Sequence, residues 1–497
     1  ASNLEGRQLR GIAERKLRHL LVPRVPIDFD ARYESRIPDR LPVQTESIAA
    51  NTEVLRESLK AETQRRYRQS TTAFANGTLE FINQPFEFGT VDELAFDDPQ
   101  FESYPGLWRL KLQALTPVKW ATLGYETAVE CPPEVRQSIR AFITRWASEM
   151  EIGKRQYLRR GWVPHAVSLR ILALARYYTW LDDPDAEYAA MIRRALYKNA
   201  LFLRNHIEYD VGGNHLIENA AALVVAGAFF DDGSQTWLQR GIRLFEETAN
   251  QQFLEDGGHF ERSPMYHTLV VQRYLTAVDL LSGDEIDLPE RVQATASDAV
   301  RFLASLAPPD HRLPLLNDSA YDEFLTIPES LAYATAVGLA HPEVNRDSSM
   351  ASSGYDWLGD SDDRLLVDGG DVGPDHLPGH SHNDMLSTLL WIDRAQILTD
   401  TGAYNYVPDE TRSRVRSVAA HNTVQVGTSE PIAIGGQYLM GRRCYPESHV
   451  RRSDGIDQFT GWYEKERTGE SVYSHRRDVV AGNSWWVIVD TVDGAPN

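Results

Sequence analysis

Apolar residues recur at three-to-four spacing through most of the segment from about residue 132 to 345, the period of helices that bury one face. PEVRQSIRAFITRWASEMEI, PHAVSLRILALARYYTWL, DAEYAAMIRRALYKNALFLRNHI, SQTWLQRGIRLFEETANQQFL, SPMYHTLVVQRYLTAVDLL, PERVQATASDAVRFLASLA and PESLAYATAVGLA all carry it, separated by short Gly, Pro and Asp breaks. Many amphipathic helices with short connections predict helical hairpins stacked side by side, an array that can close into a ring with loops on one face. GGNHLIENAAALVVAGAFF (212–230) predicts a further helix, apolar almost all round, with Asn214 as its cap and His215 and Glu218 on one face at its mouth. The first 130 residues are less regular. Their aromatic-rich stretches, FINQPFEFG and YPGLWRLKLQALTPVKW, are expected to pack against the array.

After NRDSSMASSGYDWLGDSDD (345–363) the pattern changes. RLLVDGG, LSTLLWIDRAQILTDTG, HNTVQVG, SHVRRSDG, IDQFTGWYEKE, YSHRRDVVAG and SWWVIVDTV are short, β-branched or aromatic, and bounded by turn residues, which predicts an antiparallel β-sandwich domain. The expected division is 1–130 as a helical and irregular segment packing on the array, 131–350 as the helical array, and 351–497 as the sandwich. A strong strand lies just before Asn497, so the sheet is expected to be incomplete there.

The totals narrow the function. A chain of 497 residues predicts two or three domains. Its formal charge of −20 disfavours a nucleic-acid partner, which needs a basic footprint. An anionic substrate stays open, because a local cationic pocket can sit on an acidic surface. No apolar run reaches the ~18–20 residues that span a bilayer, and the N-terminal stretch is charged without a signal-type apolar core. Cys131 and Cys444 are far apart in sequence, and two free thiols are the default expectation.

Three polar clusters interrupt the apolar pattern. In LPGHSHNDMLSTLLWIDRAQILTDTGAYNYV, His380 and His382 are two apart, and a strand would point both to one face, with Asp384 following. Asp400 comes eighteen residues after His382, and AAHNTV places His421 at the start of another expected strand. Two histidines and an aspartate converging from neighbouring strands make a Zn²⁺ site, and hydrogen-bonded polar residues at a sheet edge are the alternative. DGGHFERSPMYHT gathers His259, Arg262, Tyr266 and His267 around a Gly-Gly turn and a helix opened by Pro264. HRLPLLNDSAYDEF is a polar loop of the same kind. If these helix-start loops share one end of the array, Asn214, His215, Arg262 and Tyr266 share a cleft. That set suits β-elimination on a uronic-acid polymer: Asn, Arg or His holds the carboxylate, and Tyr and His exchange the protons. Glycoside hydrolysis would need two carboxylates near the bond, which Glu218, Glu261 and Asp318 could supply.

The ordered motifs NHLIEN, DGGHFERSPMYH, PLLNDSA, GHSHNDMLS, LTDTGAYNY and AHNTVQV, spread over roughly residues 80–497, resemble the heparinase II/III-like polysaccharide lyases. The resemblance implies an N-terminal (α/α) toroid, a C-terminal antiparallel β-sandwich and an active site between them. It implies a polysaccharide lyase acting on an acidic polysaccharide, a glycosaminoglycan such as heparan sulfate, or alginate or another exopolysaccharide. By the same likeness Asn214 and His215 resemble the carboxylate-neutralising pair, Tyr266 the catalytic tyrosine and His380 a histidine given to the cleft by the β-domain. His382, Asp400 and His421 resemble the ligands of a divalent metal, usually zinc and structural in role. Glu218 and Arg262 resemble cleft residues that contact substrate. Members often carry an aromatic residue before the AHNT histidine, where this chain has Val415 and Arg416, and Tyr404 or Tyr406 is expected to compensate. Only seven of the 51 basic residues are Lys, which leans the expected substrate towards an unsulfated or lightly sulfated uronate polymer. The alternatives are a glycoside hydrolase on a similar toroid and an inactive polysaccharide-binding relative.

Overall fold

The computed structural model describes residues 6–96, 98–230, 235–282, 288–339, 350–360, 362–467 and 470–494. Parts of the predicted change of pattern, 345–349 and 361, lie outside the described residues, as do both chain ends. The chain divides into two compact units. One comprises residues 4–250 with 273–293, the other 251–272 with 294–497.

The first unit is helical. Pro164–Trp180 and Asn214–Phe229 are buried on nearly every side and pack on each other. Their uniform apolarity is what a central helix needs when amphipathic neighbours such as Ala186–Arg204 cover it. The ends follow local chemistry: Pro164 occupies the first turn, and Asp185 accepts the Tyr188 amide at 2.9 Å. Asn214 is not the cap of its helix. Gly213 holds that position at φ 53°, and Asn214 is the first helical residue. The first 130 residues are more regular than their pattern suggested, with helices at Gly6–Leu21, Glu46–Glu57, Ala61–Ala75, Gly106–Gln113 and Thr116–Gly124. FINQPFEFG forms a hairpin, Thr78–Phe81 with Gln84–Glu87. It turns on Ile82 and Asn83, both at positive φ, the conformation a two-residue hairpin loop demands.

The second unit begins with the start of the Pro264–Leu280 helix and most of Glu290–Leu306, then Ile327–Ala336. Thr326 and Glu329 close a reciprocal capping box on the last of these. Two four-stranded antiparallel sheets follow. One joins Tyr355–Asp360, Asp363–Asp368, Thr388–Ile392 and Ala395–Leu398; the other joins Glu447–Ser453, Ile456–Arg467, Glu470–Ala481 and Trp486–Asp493. Each runs in chain order, so every strand pairs with its sequence neighbour; the connection from Asp368 to Thr388 is long and carries the GHSH loop. Leu358, Leu365 and Val367 of the first sheet share a core with Phe459, Tyr463, Tyr473 and Val479 of the second, so the two form a sandwich. Asp393 and Arg394, both at positive φ, make the tight turn after Ile392.

Two predicted strands are absent. His380 ends a short 3₁₀ turn, Pro378–His380, and His382 lies in the loop after it. His421 follows another such turn, Val418–Ala420, and HNTVQVG is loop. Both segments spend their polar groups on side chains rather than on a ladder: His382 N donates to Asn317 Oδ1, and Asn422 Nδ2 to Thr388 O.

Gly354 and Gly370 bring two chain segments into backbone contact at the head of the first sheet. A Cβ on Gly354 would lie 2.1 Å from Gly370 Cα, and its φ is +77°. Gly354→Ala is expected to lower stability by about 3 kcal/mol through overlap and backbone strain together. Chemical denaturation measures this; a change under half that size would show that the segments part without cost.

Candidate functional site

In the second unit, the site is assembled around Asp318. Ser263, just before the Pro264–Leu280 helix, accepts the Tyr266 amide at 3.3 Å and donates to Asp318 O at 2.8 Å. Ser319 Oγ takes the Met265 amide. These bonds fix the first helical turn, and Tyr266 with it, to the 317–319 loop. The Asp318 carboxylate is fully buried. Its Oδ2 accepts from His380 Nδ1 at 3.0 Å and from Arg412 Nη2 at 2.8 Å; its Oδ1 accepts from His382 Nε2 at 2.9 Å and from Arg412 Nη1. Burial by itself would raise its pKa, but Arg412, then His380 and His382, hold it well below the carboxylate range. An ionised acceptor at Nδ1 leaves His380 with Nε2 for chemistry.

The Tyr266 and His380 rings lie 3.9 Å apart between centroids, and Tyr266 Oη is 3.2 Å from Tyr406 Oη. Burial, then the charge of Asp318, push the Tyr266 phenol well above its usual range. At neutral pH it therefore carries its proton, ready to donate. Tyr406 is buried beside it with the Arg412 guanidinium 4.7 Å from its ring centroid. Tyr404 is exposed. Arg416, at the position where an aromatic residue was expected, is wholly buried and donates to Ser381 O and Gly436 O. It braces the GHSH loop from behind and leaves ring contacts to Tyr406.

His421 Nδ1 meets Asp400 Oδ2 at 2.8 Å, and Asp400 Oδ1 accepts the Gly402 amide. The His382 and His421 rings are 5.4 Å apart. Four buried polar atoms here have no hydrogen-bond partner: His382 Nδ1, His421 Nε2 and both carboxylate oxygens of Asp384. Burial, then the charge of Asp384, raise Asp368 far above its ordinary value. Even so, His382, Asp400 and His421, the expected ligands, do not bring three ligand atoms within 4.8 Å of one another.

Arg262 sits at φ +54° and spends its guanidinium on Ser353 O and Ser352 O, with Asp371 at 3.7 Å. Its guanidinium braces the chain entering the first sheet.

In the first unit, Asn214 is buried at the helix start and His215 is about a quarter exposed (27%). His215 Nδ1 meets Glu208 Oε1 at 3.1 Å, and its ring lies 4.1 Å from that of His165. His165, Glu208 and His215 are the group of possible metal-ligating side chains, among the described residues, whose ligand atoms all lie within 4.8 Å of one another. Neither His165 nor Glu208 was singled out in the sequence; each stands in a segment whose pattern reads as ordinary helix or loop. Glu218 also departs from expectation. It is fully buried and both its oxygens are taken by Arg273, at 2.7 and 2.9 Å, so it joins two helices.

Residues 131–369 match the family model of the heparinase II/III N-terminus, and 342–497 that of the heparinase II/III-like C-terminal region. A heparin-sulfate lyase of Bacteroides stercoris is 23% identical over 368 residues, 68% of this chain and 52% of that protein. One from Pedobacter heparinus is 28% identical over 165 residues, covering 32% and 25%. The chain thus spans about half the length, or less, of these curated relatives. The crystal structure of heparinase III superposes at TM-score 0.68 with 17% identity over 88% of this chain and 71% of that one. A heparan sulfate lyase structure from Pedobacter heparinus gives 0.53 with 18% identity, over 94% and 73%. These likenesses bear on the fold.

The Glu218–Arg273 pair supplies a direct check of its bracing role. Glu218→Ala leaves a buried arginine unpaired and is expected to cost about 3–5 kcal/mol of stability. A melting curve like the parent's, with raised KM alone, would return Glu218 to substrate binding.

Proposed function

We propose that this chain, which belongs to the heparinase II/III-like family, is a polysaccharide lyase that cleaves a uronate-containing glycosaminoglycan of the heparan sulfate class by β-elimination. The observation that carries the reading is the buried Tyr266, its ring 3.9 Å from that of His380, whose Nδ1 is held by Asp318. β-Elimination needs the C5 proton removed, the uronate carboxylate neutralised and the departing O4 protonated as the C4–O bond breaks. The Tyr266 hydroxyl is the proton donor to O4, with Tyr406 orienting it through their shared hydrogen bond. His380 Nε2 is available to take up a proton. Asn214 and His215 carry the carboxylate-neutralising role by family resemblance. The heparin-sulfate lyases among its relatives favour a sulfated chain over the unsulfated polymer that the scarcity of lysine suggested; arginine can serve sulfate equally well.

Hydrolysis is less well supported. It needs a carboxylic acid kept protonated near the scissile bond, whereas Asp318 is held ionised, Glu218 is clamped by Arg273 and Glu261 is buried with His259 at 3.7 Å.

The unpartnered polar atoms around His382 support the divalent metal that the family implies, although the three expected ligands do not bring ligand atoms within 4.8 Å of one another. The expected set of His382, Asp400 and His421 gains Asp384, whose oxygens are unpartnered. Asp400 also orients His421, so that His421 offers Nε2. A bound ion there would supply positive charge and join the GHSH loop to the segment around His421. Elemental analysis after purification without added metal is expected to find about one divalent ion per chain, lost in His421→Gln together with part of the melting temperature. A metal-free protein of unchanged stability would leave only a hydrogen-bonded cluster.

Tyr266→Phe keeps the ring's packing and removes the proton. It is expected to lower turnover of heparan sulfate by roughly 10²–10⁴-fold, read as ultraviolet absorbance of the unsaturated uronate. A folded variant with near-normal turnover would exclude Tyr266 as the acid, and a parent protein that releases no unsaturated product from any uronate polymer would exclude the lyase.

A further inference from the structure

The loop before the Asn214–Phe229 helix folds back on itself at Gly212 and Gly213, both at positive φ, a conformation glycine reaches without strain. The reversal places Glu208 under His215, seven residues on. Glu208 is 2% exposed, and its environment is complete: Oε1 meets His215 Nδ1 at 3.1 Å, and Oε2 accepts Asn219 Nδ2 at 3.0 Å. Asn219 is itself fixed, since it accepts the Glu208 amide at 2.9 Å and donates to Ser168 Oγ at 3.0 Å. The second wall is His165, in the first turn of Pro164–Trp180 and 4.1 Å from the His215 ring. Arg273 is committed to Glu218, so it does not compete for Glu208.

We infer that Glu208 is a positioning residue: its carboxylate fixes His215 as the Nδ1–H tautomer and sets the ring's orientation, so that Nε2 is the nitrogen presented to a uronate substrate. The inference rests on the lyase reading for its consequence in catalysis, but the tautomer itself does not. A histidine can hold its proton on either nitrogen, and the hydrogen bond made by one decides the other. Glu208 is the acceptor that makes this choice. Burial alone would raise its pKa, but His215, with the Asn219 amide, lowers it, so it stays an acceptor through the neutral range. Burial pushes His165 down to about 3, so that ring remains neutral and packs on His215 without adding charge. A buried carboxylate behind an imidazole, itself held by an amide, is the arrangement by which a hidden residue sets the aim of an exposed one.

The test uses the full chain with labelled histidine. The His215 resonances are assigned by their loss in His215→Gln, and tautomer is read from ring nitrogen NMR shifts in the parent, Glu208→Gln and Glu208→Ala, without substrate. The parent is expected to show the Nδ1–H form. Glu208→Gln keeps an acceptor oxygen and should retain that form, whereas Glu208→Ala should mix the two tautomers. With heparan sulfate, Glu208→Ala should lose roughly 10- to 100-fold in kcat with little change in KM, and Glu208→Gln should recover part of it. If Glu208→Ala does not fold, the tautomer in the parent and the kcat of Glu208→Gln still decide. An Nε2–H form in the parent, an unchanged tautomer in folded Glu208→Ala, or a Glu208→Gln variant as impaired as Glu208→Ala would overturn the inference. So would a tightly held zinc in the parent that survives His421→Gln and vanishes in Glu208→Gln, because Glu208 would then be a metal ligand. An Nδ1–H tautomer lost in Glu208→Ala, in a protein that cleaves no uronate polymer, would uphold the inference and reject the lyase reading.

Discussion

One carboxylate, with no exposed surface, organises the second unit's chemistry. Asp318 takes two histidines and a bidentate arginine at once. A bare ionised carboxylate in that position would carry a desolvation cost of several kcal/mol. The cost is offset only while His380, His382 and Arg412 all hold their places, so the three are positioned together. The same constraint joins the candidate proton-transfer group His380 to the candidate ligand His382, because the two use opposite oxygens of one side chain.

Buried acids recur in this role. Glu208 sets His215, Asp400 sets His421, and Glu218 holds Arg273. In each case the partner converts a charge that would destabilise the fold into a fixed orientation. Asp384 is the exception, with neither oxygen partnered, and that is why the cation reading centres on it. The chain's large negative charge therefore says little about its sites. What matters locally is which acids are already neutralised by a neighbour.

Much of the fold was legible in the sequence. Helical period, proline openers and turn residues located the helices after residue 131 and most strands of the sandwich, because these signals are local. The errors fall where side-chain bonding replaced backbone regularity. GHSH and AHNTV carry strand-like residues, yet fold as loops because Asn317, Asp318 and Arg416 take the polar groups of the first, and Asn422 of the second bonds Ser387 Oγ and Thr388 O. Asn214 has the chemistry of a cap, but the positive φ at the turn requires glycine, and Gly213 took the position.

By itself the sequence determined the element types, the order helices then sheets, and the residue kinds able to perform an elimination, since each depends on spacing along the chain or on side-chain chemistry. It could not decide which acid meets which base. Glu218 looked like a site residue and is bound to Arg273; Glu208 looked like part of a loop and lies against His215; Asp318 was one carboxylate among several and lies between two histidines. Those pairings link positions up to 64 residues apart, and they exist only once packing has excluded water. Burial makes an unpaired charge too costly to keep, and so the tertiary structure, not the order of residues, selected the partners.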